Sequence, residues 1–448
     1  MLLGTAVAAL IGLRNGHTWS DLEAAMGRGI STATGPLLIL LMVGSVIGVW
    51  ILAGVVPTMI YYGLSLLSPS IYYAAACAIC AVVALATGSS WTTAGTVGLA
   101  LIGIATTYDL HLGIAAGAII SGAYFGDKMS PLSDTTNLAP AVAGTDLFTH
   151  IRHMAWTTTP SFVIALLFFI AVGIITPSPA GGNELTAVMS ALESNFSIGP
   201  HLLFPVVVVL ALVIRRMPAL PALLIGALVG AIFSIVFQPD AVLQYIGDTT
   251  LPRPIALLQG AWQALFAGYH IESGNIVVDD LLSRGGMASM LTTIWLIITA
   301  MIFGAVMEAT ELLETLAARI LRFVRSTGSL IAATLVTSFG VNVLASDQYI
   351  AIVLPGRMFR NEYERRSLDP KNLSRTLEDS GTLTSVLVPW NTCGAFMAQT
   401  LGVSTLTYAP FAIFNLINPF IAALYGFLRV SIAPLATTKD QPRDDVIM

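Results

Sequence analysis

Long apolar runs, separated by short polar stretches, follow one another along the whole chain. Many of them approach or exceed the ~20 residues that one helical crossing of a bilayer core needs. Their apolar positions are continuous and do not alternate with polar ones, which favours membrane-spanning helices over the strands of a barrel. The pattern therefore predicts an all-α polytopic membrane protein. Clear examples are Pro36 to Val56, Trp156 to Ile175, Pro218 to Phe237, Leu291 to Val306 and Tyr408 to Leu428.

Composition agrees with this prediction. Of the 448 residues, 56% are apolar and 10% are charged, whereas about a quarter of the residues of a soluble chain are charged. The net charge of −5 is too small to indicate nucleic acid or another polyanion as a partner. The cysteines Cys77 and Cys80 lie in an apolar run without a second pair, so they indicate buried small residues rather than a metal or redox site.

Basic residues are concentrated in a few segments, which mark the predicted cytoplasmic side of the membrane. None occurs between Arg28 and Lys128 or between Arg152 and Arg215, so the loops in those intervals are predicted to be external. The C-terminal tail, residues 431–448, is predicted to be cytoplasmic. The basic residues on which this topology rests are Arg14, Arg28, Arg152, Arg215, Arg216, Arg319, Arg322 and Arg325, and those from Arg357 to Arg375.

Two apolar segments have flanks that do not allow a simple crossing. Gly328 to Gly356 has basic residues at both ends, and its length is too short for two spans of ~20 residues each. It is predicted to be a re-entrant hairpin from the cytoplasm with its tip at Val341 to Gln348. Ser70 to Tyr108 has no basic residue nearby and a polar interruption at Thr87 to Thr96, which predicts a hairpin from outside. Non-helical tips at this depth must be buried in protein or line a wet cavity.

A polar, proline-containing stretch interrupts the apolar helix that follows each hairpin. These stretches are "GDKMSPLSDTTN" after the first hairpin and "EDSGTLTSVLVPWNTCG" after the second. The same order of elements in opposite orientation is typical of the inverted repeats of secondary transporters, whose binding site lies where the repeats meet near the midplane. An offset of 258 residues superimposes Gly98 on Gly356, Pro131 on Pro389 and Gly144 on Gly402.

The predicted organisation has five parts. They are a short N-terminal span and cytoplasmic linker (1–35); a first repeat (36–175) with its hairpin (70–108) and broken helix (111–148); linker spans and an external interfacial region (176–288); a second repeat (289–430) with its hairpin (328–356) and broken helix (374–403); and a cytoplasmic tail (431–448).

Asp127 and Asp134 are the main candidates for chemistry, because a charged carboxylate at membrane depth is normally paired, ligated or protonated. Helix breaks free carbonyl oxygens, and oxygen ligands suit a hard cation such as Na⁺. Burial favours the protonated acid and a bound cation favours the carboxylate, so the two ions compete for one group. Two structural alternatives remain open: Asp134 as a helix N-cap and Asp127 as a salt-bridge partner of Lys128. Hydroxyl and amide neighbours that could add oxygens are Ser133, Thr135 and Asn137.

The second repeat supplies the predicted opposite wall of the site. Asp347 and Ser346 lie at the second hairpin tip, and Asn391 and Thr392 mark the second break. At the first tip, the hydroxyls of Ser90, Thr92 and Thr93 are candidates as well, with hydrogen bonding to their own helix as the alternative. Glu308, at the end of an apolar run, is a further candidate or an ordinary solvated residue. His150 and His153 are expected on the cytoplasmic surface beside Arg152.

An intramembrane aspartyl protease is a competing class, because the chain contains Asp109, Gly126-Asp127 and "PAL" at Pro218 to Leu220. The Gly-x-Gly-Asp form of those enzymes would require glycine at Tyr124. If one helix separates them, Asp109 and Asp127 lie ~27 Å apart at 1.5 Å per residue. A catalytic dyad shares a proton across a few ångströms. The motifs of zinc proteases and serine hydrolases do not occur, so no enzyme is predicted.

The segments "GSVIGVWILAGVVPTMIYYGL", "TGSSWTTAGTVGLALIGIA" and "GAIISGAYFGDKMSPLSDTTNLAPAVAGTDLFTHIRHM" closely resemble the NhaC family of bacterial Na⁺/H⁺ antiporters, within the ion transporter superfamily. The resemblance implies a multi-pass protein of the bacterial inner membrane that expels Na⁺ in exchange for H⁺ without a cofactor, and commonly a homodimer. The family also includes a branch that exchanges proton-malate for Na⁺-lactate, and this exchange is the alternative function. Li⁺ is a further candidate cargo. Family members usually carry an additional N-terminal hydrophobic segment that has no counterpart here.

The resulting prediction is a secondary active transporter that exchanges cytoplasmic Na⁺ for external H⁺ by alternating access. Asp134 is the predicted main ligand shared by the two ions, and the tip and break residues named above form its surroundings.

Overall fold

The chain folds into helices that cover its length with short breaks. The computed structural model describes residues 1–176, 182–247, 250–322 and 324–435, and most of the predicted cytoplasmic tail lies outside these ranges. Within these ranges, five helices are long and apolar enough to cross a membrane alone, and two bent helix pairs would bring the number to seven. The fold is therefore that of an all-α polytopic membrane protein, as predicted.

The first repeat contains the first hairpin and the first broken helix. Its helix α2 begins at Trp19, so most of the expected linker before residue 36 is helical and continuous with the following span. The helices up to the end of this repeat are α1 (Leu2–Arg14), α2 (Trp19–Leu52), α3 (Val55–Leu66), α4 (Tyr72–Thr87), α5 (Ser90–Thr93), α6 (Leu99–Thr107), α7 (Leu112–Met129), α8 (Asp134–Ala143) and α9 (Leu147–Ile175), with a π-helical turn at Ala94–Gly98 between α5 and α6.

The linker between the repeats consists of apolar and amphipathic helices. Helices α13 to α15 occupy the segment in which the sequence predicts an external interfacial region instead of a clear span. The helices of the linker are α10 (Gly182–Asn195), α11 (Phe204–Ile214), α12 (Ala219–Phe237), α13 (Pro239–Ile246), α14 (Arg253–Ala267) and α15 (Ile276–Leu282).

The second repeat has the same order of elements as the first. Its hairpin extends further than expected, because the second arm continues to Arg365. The helices are α16 (Leu291–Ala309), α17 (Leu312–Leu321), α18 (Thr327–Leu344), α19 (Gln348–Arg365), α20 (Pro370–Leu377), α21 (Thr392–Leu401), α22 (Thr405–Tyr408) and α23 (Ile413–Leu428), with a π-helical turn at Glu378–Thr382 after α20.

The offset of 258 residues that the sequence suggested also superimposes helix boundaries. Helices α8 and α21 have ten residues each and start and end at equivalent positions, and both are followed by a glycine with positive φ. Equivalent helices in the two repeats thus begin at equivalent positions with a capping side chain, although the capping residue itself differs. The equivalent N-cap pairs are Ser89 and Asp347, His111 and Asp369, Ser133 and Asn391, and Asp146 and Ser404.

Helices α4 and α7 pack with their backbones in close approach, which holds the first hairpin against the first broken helix. A Cβ atom at Gly122 would lie 2.0 Å from the carbonyl oxygen of Cys77. The cysteine is buried and unpaired, as the sequence indicated. Small residues let transmembrane helices come this close.

We expect Gly122→Ala to destabilise the protein by about 1–3 kcal/mol, the usual cost of overpacking a close contact. Gly340→Ala is the matched control, because Gly340 lies inside α18 and a Cβ atom there would meet no neighbouring element of the described chain within 4 Å. Alanine there is expected to be neutral or stabilising, since it improves helix propensity. Thermal unfolding of the two purified variants in detergent tests the difference, and equal loss in both would contradict the close packing of α4 against α7.

Candidate functional site

The tips of both hairpins and the break between α7 and α8 meet around one cavity of about 780 Å³. Five of the cavity-lining residues come from the first tip, three from the second repeat and several from the first break. These are Thr87, Gly88, Ser89, Ser90 and Trp91; Gln348, Tyr349 and Thr392; and Asp127, Pro131, Leu132, Ser133, Asp134, Thr135 and Asn137. Elements separated by more than 200 residues in the sequence thus share one space, as the repeat prediction requires.

Asp127 is the deeper of the two cavity aspartates. It lies in the last turn of α7 and is only 8% exposed. Its Oδ2 atom accepts hydrogen bonds from the backbone N–H of Ser90 at 3.0 Å and from the Ser90 hydroxyl at 2.7 Å. The first hairpin tip therefore holds this carboxylate directly.

Asp134 is exposed to the cavity and is an electrostatic neighbour of Asp127. It is the first residue of α8, and the cap of that helix is Ser133, whose hydroxyl accepts from the Thr136 N–H. The alternative interpretation of Asp134 as an N-cap is therefore wrong. Its carboxylate makes no hydrogen bond or ion pair within the described chain, so its part in the helix end is limited to the favourable interaction of its charge with the helix N-terminus.

The alternative of a salt bridge between Asp127 and Lys128 is also wrong. The Lys128 ammonium group instead bonds Oδ1 of Asp379, and both side chains are fully buried. The same oxygen accepts from the hydroxyl of Thr157 and the amide of Asn418. An ion pair between α7 and the π-helical turn after α20 thus joins the two repeats, and Asp127 is left without a cationic partner of its own among the described residues.

The second tip contributes one unexpected cavity residue, Tyr349. Its phenol has the three acids Asp134, Asp347 and Asp127 among its electrostatic neighbours. Asp347 itself is buried and caps α19 by accepting the N–H groups of Tyr349 and Ile350 on Oδ1. It is not among the residues that line the cavity, so its position is that of a structural cap behind the wall.

The second break is tied to the second tip in a similar way. Asn391 caps α21 and donates to the side-chain oxygen of Asn342 at 3.0 Å, and the Thr392 N–H donates to the Ser346 carbonyl at 3.0 Å. The Ser346 hydroxyl is buried and has no partner within the described chain. Only Thr392 of this group lines the cavity.

Several other predicted site residues make local hydrogen bonds. Thr92 and Thr93 bond Ser89 within the first hairpin, as the structural alternative proposed. The hydroxyls of Ser133 and Thr135 lie 3.2 Å apart and bond each other. The Asn137 amide donates to the carbonyls of Pro131 and Ser133, and the exposed Glu308 lies away from the cavity at the end of α16.

His150 and His153 are not on the surface, contrary to the prediction. Both are buried in α9, and Nδ1 of His150 lies 2.8 Å from the Ser374 hydroxyl of α20. The exposed Arg152 does not indicate their position, because one face of a helix can be exposed to solvent while another face packs against neighbouring helices.

Two carboxylates and the neighbouring hydroxyl groups of Ser90, Ser133 and Thr135 on the wall of one cavity can bind a small hard cation. In the described part of the chain, no group of three or more His, Cys, Asp and Glu side chains is placed to hold a metal ion.

Paired hairpins, broken helices and a central acidic cavity together define a secondary transporter. The sequence profile of the Na⁺/H⁺ antiporter family matches residues 122–251 and 254–430. The chain belongs to this family.

Individual relatives agree with this assignment. The chain is 42% identical over 426 residues to the Na⁺/H⁺ antiporter NhaC of Alkalihalophilus pseudofirmus, which covers 95% of this chain and 89% of that protein. It is 37% identical to an uncharacterised Na⁺/H⁺ antiporter of Haemophilus influenzae over 97% of this chain and 91% of the relative. It is also 37% identical to the malate-2H⁺/Na⁺-lactate antiporter of Bacillus subtilis over 94% of this chain and 87% of the relative.

These names confirm the resemblance to NhaC proteins and the prediction of a transporter rather than an enzyme. The continuous helix α7 between Asp109 and Asp127 also keeps the two acids of the protease alternative apart.

Proposed function

We propose that the protein exports Na⁺ from the cytoplasm in exchange for external H⁺, with Asp134 as the main ligand and Asp127 as its deeper partner. The observation that carries this proposal is the pair of carboxylates on one wall of a cavity that both hairpin tips line. Tyr349 of the other repeat lines the same cavity and has both aspartates among its electrostatic neighbours. Na⁺ and H⁺ would occupy the pair in turn.

Competition for one carboxylate pair is sufficient for exchange. Two adjacent carboxylates in a partly dehydrated space repel each other, which favours proton uptake by one of them. A bound Na⁺ neutralises the same charge and displaces the proton. If only the loaded states cross, a carrier that leaves with Na⁺ must return with H⁺.

The cavity adjoins basic residues that are predicted to lie on the cytoplasmic side. Its lining includes Leu147 and Phe148 at the start of α9 and Arg216 between α11 and α12. Both turns adjoin basic residues, Arg152 and the Arg215-Arg216 pair, which are expected on the cytoplasmic side. Cytoplasmic Na⁺ would therefore reach Asp134 in this conformation.

Everted membrane vesicles test this function. After acidification by respiration, addition of Na⁺ is expected to release protons from vesicles that contain the protein and not from vesicles that lack it. Parallel additions of Li⁺ and K⁺ measure cation preference. Proton release that is equal with and without the protein would reject the proposal.

Exchange of organic acids is the second candidate, and it is favoured by the size and lining of the cavity. A volume of about 780 Å³ is far larger than a bare cation needs and lies in the range of small-molecule sites. Arg216 adds a guanidinium group to the lining, which suits a carboxylate. If proton movement requires malate on one side and lactate with Na⁺ on the other, and Na⁺ alone has no effect, this candidate replaces simple antiport.

A further inference from the structure

Glu378 is a buried acid that belongs neither to the cavity pair of Asp127 and Asp134 nor to the ion pair of Lys128 and Asp379. It is the first residue of the π-helical turn Glu378–Thr382, and its exposed fraction is 0%. Neither of its carboxyl oxygens has a hydrogen-bond partner, and none of the ion pairs among the described residues includes it. Single π-helical turns of this kind are frequent at functional sites.

The charges around Glu378 come from α7 and from its own helix. Its electrostatic neighbours on α7 are Lys128 and Asp127, and the hydroxyl-bearing residues Thr382 and Thr135 also lie next to it. Lys128 is bound to Asp379, next to Glu378 in the sequence.

Arg375 is a further cation of this region. One guanidinium nitrogen donates to the carbonyl and hydroxyl oxygens of Ser431, the other two have no hydrogen-bond partner within the described chain, and its acidic electrostatic neighbour is Asp379. Helices α18 and α23 carry no Asp, Glu, Lys or Arg, and Asn418 of α23 donates to Asp379. The ion pair of Lys128 with Asp379 is neutral as a unit, so an ionised Glu378 would have no counter-charge in contact within the described chain.

An ionised carboxylate without a partner is one of the most costly groups to bury, and such an acid normally takes up a proton instead. Glu378 also lies beside the cavity, because its neighbours Asp127 and Thr135 are among the residues that line the cavity. A neutral acid next to a cation-binding pair can respond to the charge on that pair.

We propose that Glu378 is a second proton-carrying group of the exchanger, separate from Asp134 and Asp127. The inference rests on the function proposed above. In the proton-loaded carrier, which holds no Na⁺, one proton resides on the cavity pair and one on a carboxyl oxygen of Glu378. Na⁺ binding at the cavity pair adds a positive charge nearby, which favours the ionised form of Glu378.

The proton balance of a cycle follows directly. One Na⁺ enters the cavity, and two protons leave for the solution that supplied it, one from the cavity pair and one from Glu378. On the opposite side, two protons are taken up as the Na⁺ departs. The exchange therefore moves more positive charge inward than outward and depends on the membrane potential.

Purified protein in liposomes tests this proposal through the ratio of H⁺ to Na⁺ at the point of zero net flux. The wild type is expected to exchange more than one H⁺ for each Na⁺ and to respond to an imposed potential. Glu378→Gln is expected to exchange one proton fewer per cation and to lose the response to potential, while it still binds and transports Na⁺. Glu314→Gln, an exposed acid of α17, is the matched control and should behave as the wild type.

Each result separates the two proposals. A Glu378→Gln variant with the wild-type ratio and voltage dependence would overturn the role of Glu378 and leave Na⁺/H⁺ exchange intact. A wild type without Na⁺-driven proton movement would reject the proposed function itself. If Glu378→Gln does not fold, infrared difference spectra decide: a Na⁺-sensitive carboxyl band that moves in Glu378→Asp supports the inference, and bands identical to the wild type overturn it.

Discussion

Replacing Asp134 with asparagine is expected to reduce Na⁺-driven proton release in everted vesicles to the background of vesicles without the protein. Asparagine keeps the size of the side chain and loses the charge, so it can neither neutralise Na⁺ nor carry a proton. Asp134 is exposed to the cavity and is not the N-cap of α8. Its removal should cost at most the ~0.3–1 kcal/mol that an acid in the first helical turn contributes, and the variant should therefore remain folded.

Asp109→Asn is the control for this substitution. Asp109 is exposed, follows the first hairpin and has a φ of 52°, a conformation that asparagine tolerates well. Transport by this variant should equal that of the wild type, and both variants should elute as one species in size-exclusion chromatography. Normal proton release by a folded Asp134→Asn protein would remove Asp134 from the mechanism.

Lys128→Met is expected to have the largest effect on stability. It removes the charge from a fully buried pair and leaves Asp379 uncompensated. Breaking a buried ion pair in this way typically costs about 3–5 kcal/mol. Thermal unfolding in detergent and the yield of monodisperse protein measure the loss. The pair connects α7 to the second repeat, so the loss should affect the whole bundle.

Two further variants identify the cause of that loss. Lys371→Met removes a lysine whose pair with Asp369 is partly exposed at 3.5 Å, and it should cost about 1 kcal/mol or less. In the double variant Lys128→Met with Asp379→Asn, the amide oxygen can still accept from Thr157 and Asn418, and no charge remains. We expect partial recovery. A double variant less stable than Lys128→Met would show that the buried charge is not the cause.

The sequence predicts those features of the fold that depend on residues close together in the chain. Apolar runs indicated the spans, and the absence or presence of flanking basic residues indicated the hairpins. The second tip was predicted at Val341 to Gln348, and α18 ends at Leu344 while α19 begins at Gln348. Glycine and proline identities gave the offset of 258 residues, because backbone turns that need those residues recur in both repeats.

The contacts between repeats could not be read in this way. Lys128 and Asp379 are separated by 251 positions, and only the docking of α7 on the second broken helix brings them together. Asp127 is the neighbour of Lys128 in sequence and was therefore the local candidate for its partner, but successive side chains of a helix point in different directions. Glu378 belongs to the polar stretch that marked the second break. Its burial without a partner is a property of the packed structure alone.

Trp91 and Tyr349 occupy equivalent positions in the two repeats, and both line the cavity. Trp91 stacks on Phe396 with ring centroids 4.1 Å apart, whereas the counterpart of Phe396 in the first repeat is Leu138. A carrier that alternates by having its repeats trade conformations would close the opposite face with Tyr349 against Leu138. The contact that closes one face would then be the stacked rings of Trp91 and Phe396, and the contact that closes the other would be the ring of Tyr349 against the aliphatic side chain of Leu138. The two resting orientations would differ in free energy, and the empty carrier would favour one side of the membrane.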